Sequence, residues 1–129
     1  MQPIGTDEPK RGSVYATRVM RSSTVGNFVK ELYEHRCQIT GERLETPTGP
    51  YAEACHIKPV GKPHSGPDQV ENVLCLSPNM HVLFDLGAIA IADDLSILGR
   101  KGKLAVKPNH SVSLEAIRYH RAHVYRGDS

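Results

Sequence analysis

The sequence predicts an α+β fold: two short strands and a helix at the centre, with further helices at the flanks. Three observations carry this reading. Residues 24–35 hold one apolar stripe at helical spacing. Residues 51–57 and 72–77 are short runs of apolar or small residues, separated by a loop with three Pro and two Gly. Directly after the second run, Ser77-Pro78 is a strong helix start, with Ser to cap and Pro at the first helical position. With 129 residues and 39% hydrophobic content, the chain can bury the core of one domain but not of two. Residues 1–12 are expected to form a polar, disordered tail and 13–129 a single domain, with its ββα centre at about 51–87.

In chain order, "VYATRVMRSS" reads as a short helix presenting Arg18 and Arg21. In the helix at 24–35, Val25, Phe28, Val29, Leu32 and Tyr33 fall at i, i+3, i+4, i+7 and i+8, and Thr24 is placed to cap it. "RCQITGERL" is a short strand and turn around Thr40-Gly41, and "ETPTGP" is a second turn. "YAEACHI" and "NVLCLS" are the central strands. The helix after Ser77 runs through "NMHVLFDL" and stops at Gly87, with Leu83 and Phe84 expected in the core. "AIAIAD" and "SILG" form strands joined at Asp93-Asp94, "KLAVKP" is a further strand candidate, and "SLEAIRYHRAHVY" is a C-terminal helix, basic on part of its surface.

Composition excludes several classes. Cys37, Cys55 and Cys75 cannot all pair and none stands in a CxxC spacing, which argues for a reducing cytoplasm. No apolar run is long enough to cross a bilayer, and the N-terminus lacks a secretory apolar region. Aromatic content is 5% with no Trp, so a base-stacking platform is not expected. The net charge of +2 is uninformative, but its distribution is not. Six basic residues between Lys10 and Arg36 face two acids, and seven between Arg100 and Arg126 face Glu115 alone. The segment 37–99 has three basic residues against eight acids. Two basic flanks around an acidic centre suit either a solvated mixed surface or arms that neutralise phosphates.

The polar residues of the central segment have a definite spacing. His56 ends the first strand, Asn72 opens the second sixteen residues on, and His81 follows nine residues later in the helix. Asp85 is at i+4 from His81, on the same helix face, where a His and a carboxylate can hold a divalent cation. By strand alternation Glu53 shares a face with Cys55.

The stretch "ACHIKP … GPDQVENVLCLSPNMHVLFDLGAIAI" resembles the HNH nucleases, in the subgroup that reads A-H-I-x-P, N-x-L-x-L and H-x-x-F-D-x-G. The matching residues are His56, Ile57 and Pro59, then Asn72, Leu74 and Leu76, then His81, Phe84, Asp85 and Gly87. "RCQITG" at 36–41 is similar to the strand-turn that precedes this motif, and the resemblance covers roughly residues 15–92.

The resemblance implies a ββα-metal fold and hydrolysis of DNA phosphodiester bonds to 5′-phosphate and 3′-hydroxyl ends. It implies His56 as the base that activates water, Asn72 as the residue that orients it, and His81, with Asp85, as holder of a divalent metal. Mg²⁺ or Mn²⁺ is the expected ion, with Zn²⁺ or Ni²⁺ as alternatives. Imidazole takes up protons near neutral pH, and a cation on the phosphate stabilises the departing oxygen, so the chemistry needs these residue types. Many relatives place Asp or His just before the base as a metal ligand. Here that residue is Cys55, either a small buried hydrophobe or a soft ligand, and Glu53 is a reserve ligand.

The subgroup is similar to the cutting domain of modification-dependent restriction enzymes of the McrA type, in which a separate domain, such as an SRA domain, reads the modified base. Arg18, Arg21, Lys58, Arg118 and Arg121 are the expected DNA contacts, and a homodimer would allow both strands to be cut. His64, His110, His120 and His123 stand at no motif spacing and read as surface or DNA-contacting. Two rivals remain: a catalytically silent DNA-binding module of the same fold, and a small zinc-stabilised interaction protein.

Overall fold

The computed structural model describes residues 23–127. The expected tail and the short helix with Arg18 and Arg21 lie outside the described residues. Within them the order is α1 (Thr24–Leu32), β1 (Leu44–Thr46), β2 (Gly49–Tyr51), β3 (Glu53–His56), a 3₁₀ turn (Val70–Asn72), β4 (Val73–Leu76), α2 (Pro78–Asp85), β5 (Ala90–Ile91), β6 (Ile97–Leu98) and α3 (Leu114–His123). The strands pair as three antiparallel two-stranded sheets, β1–β2, β3–β4 and β5–β6.

The β3–β4 pair is the centre, in the register Glu53↔Leu76, Ala54↔Cys75, Cys55↔Leu74 and His56↔Val73. Side chains alternate across a strand, so one face carries Glu53, Cys55, Leu74 and Leu76 and the other Ala54, His56, Val73 and Cys75. Cys55, Leu74 and Leu76 pack with Phe84 of α2, Ile91 and Ile117. Val73 and Cys75 pack with Val29 and Tyr33 of α1 and with Ala52. Each face is therefore covered by a helix. That explains why "VLCL" is an unbroken apolar run rather than an alternating one: all four residues are buried.

Ser23, not Thr24, caps α1; its hydroxyl accepts the Gly26 N–H at 3.0 Å. Gly26 allows the close approach to β3, because a Cβ there would lie 2.9 Å from the Ala54 side chain. The helix ends at Leu32, three residues short of the expected 24–35, as Glu34 and His35 take left-handed backbone angles (φ 53° and 62°). In α2, Ser77 is the cap, Pro78 opens the helix, and Gly87 follows its end at φ 82°. Phe84 is core, 1% exposed, but Leu83 is 37% exposed and is not.

The expected strand at "KLAVKP" does not form. Its backbone is shared between two neighbours: Leu104 N–H bonds to the Leu95 carbonyl, and Ala105 N–H to the Gln38 carbonyl. Neither contact extends into a ladder. Two histidines expected at the surface are instead buried, His110 and His120. His110 donates from Nε2 to the Val70 carbonyl (2.9 Å) and accepts the Tyr33 hydroxyl at Nδ1 (2.6 Å), tying α1 to the 3₁₀ turn. His120 stacks on Phe84 with ring centroids 3.6 Å apart and donates from Nε2 to the Phe84 carbonyl at 2.8 Å. After α3, the Arg126 N–H bonds to the Gly87 carbonyl (2.8 Å). The C-terminal segment thus clamps the end of α2.

Candidate active site and metal centre

β3 ends on two adjacent residues that face opposite ways. His56 lies on the α1 face and points to the loop that follows; Cys55 lies on the α2 face. Each is served by its own set of side chains.

On the first side, His56 Nε2 is 2.8 Å from Asp68 Oδ1. A carboxylate accepts, so Nε2 carries the proton and Nδ1 presents its lone pair. This tautomer is the one a general base requires, with its orientation fixed by a partner on the far side of the ring. Asn72 does not touch the imidazole. Its Oδ1 accepts the Lys58 N–H (2.8 Å), and its Nδ2 donates to the Lys58 and Pro67 carbonyls (2.9 and 2.8 Å). Asn72 is 1% exposed and closes the base of the 58–67 loop, which delivers Asp68 to His56. Orientation of His56 therefore runs from Asn72 through the loop backbone to Asp68.

On the second side, His81 Nε2 is 3.0 Å from Asp85 Oδ2, as the i, i+4 spacing on α2 requires. His81 Nδ1 is 2.8 Å from Glu53 Oε1 across on β3. Tyr51 donates its hydroxyl to Glu53 Oε2 at 2.7 Å. The Cys55 thiol points to Asp85 Oδ1 at 3.7 Å and to its neighbouring carbonyl, His56 O, at 3.7 Å. Cys55, His81 and Asp85 each offer one ligand atom, all within 4.8 Å of one another. Among the described residues this is the group of three that could hold a metal ion. Burial disfavours a charge on His81, yet the bonds from Asp85 and Glu53 outweigh it and raise its pKa above the ordinary histidine value. Burial, then the charge of Asp85, pushes the Cys55 thiol well above the usual thiol range.

The expected DNA contacts fare differently. Lys58 lies at the mouth of the loop, its ammonium 4.5 Å from the centre of the Tyr119 ring. Tyr119 in turn shares a 2.6 Å hydrogen bond with His64 Nδ1. Arg118 and Arg121 both engage Asp93 (2.8 and 2.7 Å), and Arg121 also donates to the Ile91 carbonyl. The two guanidinium groups brace the β5–β6 turn against α3. Asp68 was not among the sequence candidates. Its one signal is an acidic residue in an otherwise Pro/Gly-rich loop that must return to the end of β3.

A strand pair with α2 on one face, a His/Asp/Cys cluster on that helix's side, buried at Cys55 and open to solvent at Asp85, and an oriented histidine at the strand end define the ββα-metal nuclease fold. Residues 37–92 match the family model described as HNH endonuclease. Among solved structures the chain is similar to the "Modification dependent TagI restriction endonuclease", at 45% sequence identity and a TM-score of 0.77. The match covers 81% of this chain and 38% of that one, so the chain spans well under half the length of that enzyme. No curated protein matches the chain significantly.

Proposed function

We propose that this chain is the cutting domain of a modification-dependent restriction system: a metal-dependent endonuclease that hydrolyses DNA phosphodiester bonds to 5′-phosphate and 3′-hydroxyl ends. The observation that carries this is the His56–Asp68 pair, which leaves Nδ1 of His56 to act as a base, together with the Cys55–His81–Asp85 cluster built on the same strand end. The cutting role within a larger restriction system draws on the similarity to a modification-dependent restriction endonuclease that is more than twice as long.

In this reading His56 Nδ1 takes the proton of the attacking water, and Asp68 holds the imidazolium that results. Asn72 keeps the loop closed so that Asp68 stays in place. His81 and Asp85 hold a divalent ion. When bound, that ion polarises the scissile phosphate and stabilises the departing 3′ oxygen. Arg18, Arg21 and Lys58 contact phosphates and set affinity rather than sequence preference, because backbone contacts carry no base information. One such site cuts one strand, so a double-strand break requires a homodimer or two successive events. A modified-base reader would be a separate domain, and the working compartment the cytoplasm. No helix among the described residues is long and apolar enough to cross a membrane.

The test is nicking of supercoiled plasmid, with and without cytosine modification, in Mg²⁺, Mn²⁺, Zn²⁺ and Ni²⁺, with end-labelling of the products. His56→Ala is expected to lower the cleavage rate by about 10²–10⁴ while DNA binding and thermal stability stay close to wild type. Wild-type cutting by that variant, or no nicking by the native chain in any of the four ions, sinks the reading.

A further inference from the structure

We propose that the metal of this site is held by the Cys55 thiolate as well as by His81 and Asp85, which makes it a site for a thiophilic ion of the Zn²⁺ or Co²⁺ kind rather than for Mg²⁺. The inference rests on the metal reading above and names the class of ion.

Four observations carry it. First, the sulfur is in place. Cys55 Sγ lies 3.7 Å from one oxygen of the Asp85 carboxylate, His81 Nε2 lies 3.0 Å from the other, and one ligand atom from each of the three residues falls within 4.8 Å of the rest, a spacing that one ion can draw together.

Second, the thiol proton points to the carboxylate that the ion would share. On binding, the S–H bond breaks, the electron pair stays on sulfur as the metal bond, and the proton leaves to solvent past Asp85, whose side chain is 44% exposed. A coordinating thiol is deprotonated by the metal itself, so the raised pKa of the metal-free thiol is no obstacle.

Third, the histidine is already turned. Glu53 takes the Nδ1 proton and is itself held by Tyr51, which leaves Nε2 as the nitrogen that faces Asp85. A carboxylate behind a ligating imidazole fixes its tautomer and raises its basicity. Glu53 is thereby a positioning residue, not a ligand.

Fourth, the donor set is mixed. Mg²⁺ demands near-octahedral oxygen ligands, whereas a thiolate, an imidazole and one carboxylate suit a tetrahedral borderline ion. Cys55 is 0% exposed, so the sulfur is sheltered from oxidants on every side but that of the ion.

The experiment is a Co²⁺ titration of the metal-stripped chain, read by absorption, beside Mn²⁺ and Zn²⁺ titrations by calorimetry. Wild type is expected to develop a thiolate-to-cobalt charge-transfer band in the near ultraviolet and to release protons on binding. Cys55→Ala keeps Cys37 and Cys75, is small and apolar enough for the core, and should lose the band. Its Co²⁺ and Zn²⁺ affinities should fall at least about tenfold, since even losing an outer partner of a ligand costs 10- to 100-fold. Glu53→Gln should keep the band but weaken binding, with a changed cobalt d–d spectrum. Co²⁺ binding without the band, or a band unchanged in Cys55→Ala, overturns the thiolate while leaving the metal site standing. Absence of any Co²⁺, Zn²⁺ or Mn²⁺ binding overturns the proposal and the metal reading together.

Discussion

Replacing Asn72 tests the link between packing and catalysis most sharply. The side chain makes three hydrogen bonds, all to backbone atoms at the two ends of one loop: Lys58 N–H, Lys58 carbonyl and Pro67 carbonyl. Asn72→Ala removes all three and leaves the residue's own backbone bonds, to Ile57 and Gln69, untouched. Each lost bond has a net worth of about 0.5–1.5 kcal/mol, so together they amount to about 3 kcal/mol. Pro67 is exposed and its carbonyl can be rehydrated, which keeps the loss near the middle of that range. For a domain of this size the melting midpoint should drop by roughly 10 °C. Cleavage should fall through kcat rather than KM, because the loop that positions Asp68 loosens while the phosphate contacts remain. Asn72→Asp discriminates further. It can still accept from Lys58 N–H, but it sets a carboxylate against two carbonyl oxygens and should melt below Asn72→Ala. Thermal melts and single-turnover cleavage of the two variants check this. An Asn72→Asp variant more stable than Asn72→Ala, or Asn72→Ala cutting at the wild-type rate, would refute the clamp.

Two further outcomes are expected. Asp68→Ala should slow cleavage by about 10- to 100-fold, part of the 10²–10⁴ that a positioned base supplies, whereas Asp68→Asn, which can still accept from Nε2–H, should lose less; plasmid nicking at saturating metal measures both. His120 is held below the ordinary histidine pKa by burial. The unfolded chain therefore binds its proton first, and stability should decline as pH falls below about 6.5, levelling off beneath the folded value. His120→Gln keeps a donor for the Phe84 carbonyl without titrating. The difference between wild type and this variant, in denaturant unfolding at pH 5, 6 and 7, separates His120 from the opposite contribution of His81; equal slopes for the two proteins would show that His120 is not the cause.

Much of the fold was legible because its signals are local. Ser77-Pro78 and Gly87 bracket α2 by cap chemistry alone, and the i, i+4 spacing already placed His81 and Asp85 side by side. What could not be read depended on contacts between segments far apart in the chain. Leu83 and Phe84 are neighbours of equal hydrophobicity, and only the position of α3, with His120 against the Phe84 ring, decides which is buried. "KLAVKP" has strand composition but no free strand edge long enough to join. Asp68 sits in a loop whose path is set by Asn72, so its meeting with His56 required the loop to be closed. Arg118 and Arg121 stand on a basic helix in the sequence, and only the fold brings Asp93 up to them. The candidate metal cluster was legible in part: His81 and Asp85 by helical spacing, Cys55 by adjacency to His56, and Glu53 only as a residue on the correct face, without its bond to His81.

Cys55 and His56 are consecutive yet belong to different halves of the molecule, and this follows from strand alternation rather than from chemistry. The α1 half holds the proposed base: Tyr33 and His110 fix the 3₁₀ turn, the turn places Asn72, and Asn72 closes the loop that brings Asp68 to His56. The α2 half holds the cluster: Glu53 turns His81, while His120 and the Arg126–Gly87 bond fix the helix end that carries Asp85. Two supports built from distant segments meet at the β3–β4 pair. In the proposed mechanism a base must keep one lone pair free of any ion and a ligand must point to one, and opposite faces of a single strand end can supply both needs within two residues. That arrangement also accounts for the buried histidines outside the motif. His110 and His120 are buried, and each fixes the element on which one half of the site is built.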